Sequence, residues 1–290
     1  MRIEFPLKHI DDNLVFNRND DVWSYFEVDR INTNILNEFN NDIHIYISNE
    51  LNKKVIGIKL DDVYGGKTNI KTNVKSFFEG LTAQVNKSVG LEPYKIIKDD
   101  ILDFKKQTRL IENKLKENYK VNKFKTIDII SSYEYWLNLG SENEGGGLLD
   151  LNGISLSPLN LNGLIINNAL NEVEPNYVQY LTVNKTKGIE YLVNLEDIEI
   201  PIEIFIRRNE NKEFYTIIRI TAINETQLNN YVSFLYDYSH LLEIDIYTPL
   251  GEQFILLYES LFGSDKTSDD YMTKIIEQEV LSDEFSNTTH

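Results

Sequence analysis

The chain of 290 residues contains no cysteine and only four histidines. The absence of cysteine excludes disulfides, thiolate nucleophiles and thiolate metal ligands. No two histidines have the spacing of a helical metal-binding pair, so no histidine-based zinc site is expected. No charged segment followed by a short apolar run opens the chain, so the sequence predicts a cytoplasmic protein without a secretory signal.

Long apolar runs and excess positive charge are also missing. No apolar run approaches the roughly 18 residues that a membrane span requires, so no transmembrane segment is predicted. The formal net charge of -17 argues against a protein that wraps nucleic acid, because affinity for phosphate depends on clustered Lys and Arg. Acidic residues crowd the stretch from Asp265 onward, which we interpret as a solvated tail.

Short β-favouring runs fill the first sixty residues. Residues 13–17 and 22–28 flank a polar turn, a pattern typical of a hairpin. Residues 43–47 and 55–60 repeat it, so the N-terminal third is predicted to form an antiparallel sheet. A helix over about residues 70–89 is expected to cover this sheet.

The clearest helical pattern follows. One stripe at helical spacing joins Ile97, Ile101, Phe104, Thr108, Ile111 and Leu115. A shorter helix is predicted over about 127–139. The polar, glycine-containing segment 141–147 has no apolar side chain, so it is predicted as a boundary or a mobile loop.

The sequence of the second half of the chain predicts strands followed by helices. After an irregular stretch through Leu170, β runs at 177–183, 189–195, 198–206 and 214–222 predict a meander. In the third run isoleucines alternate with other residues, which predicts one buried and one mainly exposed face, and Pro201 suggests an edge strand or a bulge. Asn224 is predicted to cap a helix over 225–242, followed by a strand at 243–248 and a helix from Pro249.

These patterns predict an α+β fold in which antiparallel sheets carry helices packed on one face. We expect two subdomains. The first is an N-terminal α+β unit over 1–140, the second an α+β unit over 173–290, and residues 141–172 form a loop or linker between them.

No complete catalytic motif is present. The run Gly65-Gly66-Lys67-Thr68 follows a predicted strand and precedes a predicted helix, as a phosphate-binding loop does, but Asp61 stands where the full motif needs glycine. An ordinary turn is the favoured interpretation. His240 lies near Glu243, yet a structural or surface histidine is favoured over a metal ligand. The sequence therefore predicts no catalytic, cofactor-binding or metal-binding residue.

One segment departs from the acidic character of the chain. From Lys105 to Lys125 there are eight basic residues and two acidic ones. A solvated lysine-rich helix face explains them, and so does a contact with anionic lipid headgroups, an acidic protein or DNA. The predicted partner contacts are Lys105, Lys106, Arg109, Lys116 and Lys120, together with Arg207 and Arg208.

Several segments, in the same order, resemble one family. The start of the chain, with Phe5-Pro6-Leu7-Lys8, Asn13-Leu14-Val15-Phe16-Asn17 and Val22-Trp23-Ser24-Tyr25-Phe26-Glu27-Val28, is similar to the TraC-type conjugation ATPases of type IV secretion systems. The resemblance is to the versions in Gram-positive conjugative elements. Two later segments resemble the same family: Glu174-Pro175-Asn176-Tyr177-Val178-Gln179-Tyr180-Leu181-Thr182-Val183 and Thr248-Pro249-Leu250-Gly251-Glu252-Gln253-Phe254.

The resemblance implies the region that precedes the motor. In this family the ATPase core, which uses ATP and Mg, comes after the point where this chain ends, so no catalytic residue is transferred. The matching region implies a docking domain on the inner face of the cell membrane, which binds inner-membrane subunits of a conjugation channel and self-associates. Contact with DNA ranks lower. The alternative is an independent nucleotide-binding protein or enzyme that uses residues 65–68.

Overall fold

A computed structural model describes residues 6–17, 19, 21–31, 39–61, 98–138, 154–160, 162–168, 174–183, 198–208 and 214–264. The helix predicted at 70–89, the loop at 65–68, the polar segment 141–147 and the β run at 189–195 lie outside these residues.

The described elements are twelve strands and four helices. The strands are β1 Leu7–Asp11, β2 Leu14–Asn17, β3 Val22–Val28, β4 Ile43–Ser48, β5 Lys53–Lys59, β6 Val121–Lys123, β7 Ile154–Leu159, β8 Gly163–Asn168, β9 Asn176–Val183, β10 Ile202–Arg208, β11 Phe214–Ala222 and β12 Ile246–Tyr247. The helices are α1 Lys98–Lys116, α2 Thr126–Trp136, α3 Glu225–Leu241 and α4 Gln253–Ser260. No helix in this part of the chain is long and apolar enough to cross a membrane.

All the strands join one antiparallel sheet. Its order is β1-β2-β3-β5-β4-β10-β11-β9-β8-β7, with β12 paired to β9 and β6 paired to β3. The predicted α+β class and its antiparallel pairing are confirmed, as are the hairpins β2–β3 and β4–β5. In the middle of the sheet β4 pairs with β10, with Tyr46 opposite Phe205. The predicted subdomains 1–140 and 173–290 therefore contribute strands to the same sheet.

Helices cover both faces of this sheet, whereas the sequence predicts helices on one face. One core is rich in isoleucine from β4, β5, β10 and β11, and α1 and α3 pack on it. The other core is rich in aromatic residues, and α2 and α4 pack on it. Both sides of the central strands are buried, because successive side chains in a strand point to opposite faces and each face has a helical layer.

The predictions for β10 need correction. The strand begins at Ile202, directly after Pro201, and it pairs with β4 and β11, so it is a central strand and not an edge. Glu203 and Phe205, predicted on the mainly exposed face, are buried because α2 and α4 cover that face. The predicted meander is also wrong, since β9 lies between β8 and β11 and is separated from β10 by β11.

Two other segments differ from the prediction. Residues 154–168, within the predicted linker, contain the hairpin β7–β8 at one edge of the sheet. The strand predicted at 243–248 is reduced to Ile246–Tyr247, and Glu243, where the strand was expected to begin, adopts a left-handed backbone conformation with φ of 55°. The helix predicted from Pro249 begins at Gln253.

Three predicted helices are confirmed as α1, α2 and α3. Asn224 caps α3 as predicted, because its side-chain oxygen accepts a hydrogen bond of 2.9 Å from the Gln227 backbone N–H. Leu228, Val232 and Leu235 form the buried side of that helix.

Candidate interaction surfaces

Most of the basic residues predicted as partner contacts lie on or just after α1. This helix buries Ile101, Thr108 and Leu115, which repeat at helical spacing. The opposite side faces solvent. Among the predicted contacts Lys105 is half-buried, and the exposed ones are Lys106, Arg109, Lys116 and Lys120.

Three of these cations form ion pairs within the chain. The pairs are Lys105 Nζ with Asp11 Oδ2 at 2.9 Å, Lys106 Nζ with Asp103 Oδ1 at 2.7 Å and Lys116 Nζ with Glu112 Oε1 at 2.6 Å. The acidic partners reduce the local positive charge that the sequence count suggests. Because exposed ion pairs contribute only about 0.2–1 kcal/mol, a partner's carboxylate can replace Asp103 beside Lys106, the most exposed of the three lysines.

Arg109 differs from these paired lysines. It is exposed and has no ion-pair partner among the described residues. Leu102 and Leu110, 49% and 70% exposed, lie on the same side of the helix. We call Leu102, Lys106, Arg109 and Leu110 the α1 outer face. It combines exposed apolar area with positive charge, a composition suited to binding an acidic partner.

Arg207 and Arg208 serve the fold. Arg207 donates hydrogen bonds to the backbone carbonyl and hydroxyl oxygens of Ser264. Arg208 is only 2% exposed and donates to the carbonyl oxygens of Phe39 and, at 2.7 Å, Asn41. Both guanidinium groups therefore satisfy chain carbonyls rather than forming an open basic patch.

A second surface was not predicted from the sequence. Along α3, Phe234, Tyr238 and Leu241 follow one another at i, i+4 and i+7, with Phe234 and Leu241 on the solvent side and Tyr238 half-buried against the isoleucine-rich core. Phe234 and Leu241 are 44% and 79% exposed, and the rings of Phe234 and Tyr238 stack with centroids 6.0 Å apart. We call these three residues and Asp237 the α3 outer face. The spacing is visible in the sequence, but it is hidden by the apolar stripe on the buried side of the same helix.

A buried ion pair lies in the middle of the sheet. Glu203 on β10 accepts hydrogen bonds from the Tyr46 hydroxyl at 2.5 Å and the Trp136 indole N–H at 2.7 Å. Its other oxygen pairs with the Arg219 guanidinium. Burial disfavours the charge of Arg219, but the carboxylate of Glu203, together with Tyr180 and Tyr135, outweighs this effect and raises the pKa of Arg219. Burial and the same carboxylate raise the pKa of Tyr46.

This ion pair has the features of a structural site. Glu203 and Arg219 are almost completely inaccessible to solvent, so a substrate cannot reach them in this conformation. Both oxygens of the Glu203 carboxylate accept hydrogen bonds, which compensates for the burial of its charge. The pair therefore positions β10 and β11 under α2, where the Trp136 backbone carbonyl also accepts from Arg219 at 3.3 Å.

Beside it, Phe262 anchors the segment after α4. Its ring is buried, with its centroid 4.7 Å from that of Tyr25 and 4.8 Å from that of Trp136. Its backbone oxygen accepts a hydrogen bond of 2.7 Å from the Tyr133 hydroxyl. Gly57 makes room for this cluster, because a Cβ at that position would collide with the Tyr25 ring.

No group of three or more His, Asp or Glu suited to a metal ion is present among the described residues. His240 is exposed in the last turn of α3. The loop at 65–68, on which the nucleotide-binding alternative depends, lies outside the described part of the chain.

Two of the segments that carry the family resemblance contact each other. Gln179 donates to the Thr248 hydroxyl at 2.8 Å. Gln253 accepts from the Tyr180 backbone N–H at 2.8 Å and donates to the Tyr180 carbonyl at 3.0 Å. These residues hold β9 against the segment that leads into α4, so they have a role in the fold rather than in a reaction.

The resemblance itself stays a prediction. A scan against models of known protein families finds no match to this chain, and a search of the curated proteins finds none either.

Proposed function

We propose that this chain is a non-catalytic docking and assembly domain of a conjugative DNA-transfer motor. It would act on the cytoplasmic face of the membrane, binding inner-membrane subunits of the channel and further copies of itself. The segments that resemble TraC-type ATPases support a role in conjugation. The α1 outer face supports a role in docking. The observation that carries the proposal is that exposed leucines flank Arg109 on a helix of an otherwise acidic protein.

The role of the α1 outer face follows from its composition. Exposed apolar side chains supply area that becomes buried on association, and arginine is one of the residues that most often dominate binding energy. The charged lysines around it favour encounter with an acidic surface. A docking function of this kind needs no substrate cavity and no bound cofactor.

Nucleotide turnover tests the non-catalytic part of this proposal. The purified chain is expected to show no ATP hydrolysis above background, and millimolar Mg-ATP is expected to leave its thermal midpoint unchanged. Lys67→Ala is the test variant and Lys71→Ala the control, because only Lys67 occupies the position of a phosphate-loop lysine. Saturable stabilisation by Mg-ATP that disappears in Lys67→Ala alone would overturn the proposal in favour of the nucleotide-binding alternative.

Docking is tested by co-purification. The tagged chain is mixed with detergent-solubilised inner-membrane subunits from the same conjugative element, and retention is measured against a tag-only control. We expect one subunit to be retained at low salt and released as salt rises, because charged surfaces steer the contact. No retention of any channel subunit at low salt would contradict the docking role.

A further inference from the structure

The α3 outer face is an apolar surface in an acidic setting. Between Ile220 and Ser264 the chain contains no Lys or Arg. Asp237 lies within the face, and Glu243 and Asp245 are exposed just beyond the helix. A partner for this face must therefore bring apolar area together with positive charge.

The α1 outer face has that composition. Leu102, Lys106 and Arg109 repeat at i, i+4 and i+7, the same spacing as Phe234, Tyr238 and Leu241. Each set covers about 10 Å of helix at about 1.5 Å per residue. The two faces therefore match in length, both expose apolar side chains, and they carry opposite charge.

We propose that the α1 outer face of one copy docks on the α3 outer face of a second copy. Arg109 packs on the stacked rings of Phe234 and Tyr238 and pairs with Asp237, which is a favourable setting for an arginine. The exposed leucines of α1 pack on Leu241. This names the partner in the assembly function proposed above, and it rests on that function.

The position of the helices makes the contact intermolecular. Both lie on the isoleucine-rich face of the sheet, but α1 packs near β2 and β3 and α3 packs over β9 and β11. Four strand positions separate β3 from β11, which is about 19 Å at the usual strand spacing. One such contact between two copies gives head-to-tail rings or open rows, and two such contacts related by a two-fold axis give a closed dimer.

The total charge favours the same arrangement. At a net charge of -17, most ways of bringing two copies together place acidic surface against acidic surface. Placing the basic α1 outer face on the acidic α3 outer face is an arrangement that avoids this repulsion at the contact.

The absence of cysteine allows a direct test, since each introduced thiol is unique. Lys106→Cys protein is mixed with Ser233→Cys or His240→Cys protein of a different tag length, and a short bis-maleimide is added. Both α3 positions are exposed and flank the outer face, so one of them should cross-link whichever way the helices run. Lys125→Cys, exposed at the start of α2 on the other face, replaces Lys106→Cys in the control.

We expect mixed dimers from the Lys106→Cys mixtures at several times the yield of the control. Equal yields in both would overturn the proposal. Sedimentation equilibrium gives an independent measure: Arg109→Glu and Asp237→Arg should each weaken association about tenfold, and the double variant should recover it. Lys125→Glu, with the same charge change as Arg109→Glu, should not weaken it.

The outcomes separate the two proposals. A wild-type chain that stays monomeric and gives no selective cross-link, yet retains a membrane subunit, overturns the α1–α3 contact and leaves the docking role. ATP hydrolysis that depends on Lys67, with selective cross-linking intact, overturns the proposed function and leaves the contact.

Discussion

Glu203 and Arg219 place opposite charges inside the sheet, where each depends on the other. Removing one partner leaves a buried charge without compensation, which costs about 3–5 kcal/mol. We therefore expect Glu203→Leu and Arg219→Met each to lower the free energy of unfolding by that amount. The double variant should lose much less than the sum, because it buries no unpaired charge.

Urea denaturation followed by circular dichroism measures these changes. Lys116→Ala serves as the control, since it removes an exposed pair with Glu112 and should cost at most about 1 kcal/mol. Additive losses in the double variant would show that the two groups do not stabilise each other.

His44 makes stability depend on pH. Its ring is buried, its Nε2 has no hydrogen-bond partner, and its Nδ1 lies 3.4 Å from the Tyr25 hydroxyl. Burial, with a smaller effect of Arg207, lowers the pKa of His44 well below 6.5. Burial also lowers the pKa of His9 to about 4, against the opposing effect of Asp11.

The sign of the effect follows from these two pKa values. Below pH 6.5 the unfolded chain binds protons that the folded chain does not, so the free energy of unfolding falls as pH falls. Each fully shifted histidine contributes about 1.4 kcal/mol per pH unit. Urea melts between pH 6.5 and 5.5 should show a shallower loss for His44→Phe than for wild type. Equal slopes would show that His44 binds a proton in the folded state.

Glu203, Arg207 and Arg208 show what could not be predicted from the sequence. The alternation through Glu203 predicts one buried and one mainly exposed face, because a period of two distinguishes two faces but does not show whether a second layer covers one of them. Arg207 and Arg208 looked like a surface patch for the same reason. Their carbonyl partners, Asn41 and Ser264, are far away in sequence, and local reasoning cannot bring them together.

Among the elements, Gln253 at the start of α4 completes the edge of β9. Along this edge β9 pairs first with β8 and then with β12. Between these two pairings, the backbone N–H and carbonyl of Tyr180 form hydrogen bonds with the Gln253 side chain. Gln253→Met should leave both groups buried and unpaired, which costs about 1–3 kcal/mol for each lost partner.

Thermal and urea unfolding of Gln253→Met test this expectation, and Glu252→Ala, at an exposed neighbouring position, should be near neutral. If Gln253→Met keeps the wild-type stability, water or a shift of α4 must supply hydrogen-bond partners for the backbone groups of Tyr180.

The helices are predicted better than the strands, because the sequence signals of a helix lie within one short segment. The stripe through Ile101, Thr108 and Leu115 and the cap at Asn224 lie within single segments, so spacing and side-chain chemistry were enough. Strand order depends on partners far apart in sequence, such as β4 with β10. The hairpin β7–β8 was missed because Ser157, Pro158 and the surrounding asparagines resemble loop residues.

At the scale of the whole molecule, one sheet runs through both predicted subdomains. Leu228 on α3 is fully buried in the isoleucine-rich core, which also contains residues of β3, β4 and β5. A defect in the second half should therefore weaken the first. We expect Leu228→Ala to cost about 2–5 kcal/mol and to shift every structural probe together.

The two tryptophans make this testable, because Trp23 and Trp136 both lie within residues 1–140. In urea, their fluorescence transition should move with the circular dichroism transition of the whole chain when Leu228 is replaced. If fluorescence keeps its wild-type midpoint while circular dichroism becomes biphasic, the halves unfold independently despite the shared sheet. Coincident shifts would instead show that the two predicted subdomains unfold as one cooperative unit, as the shared sheet leads us to expect.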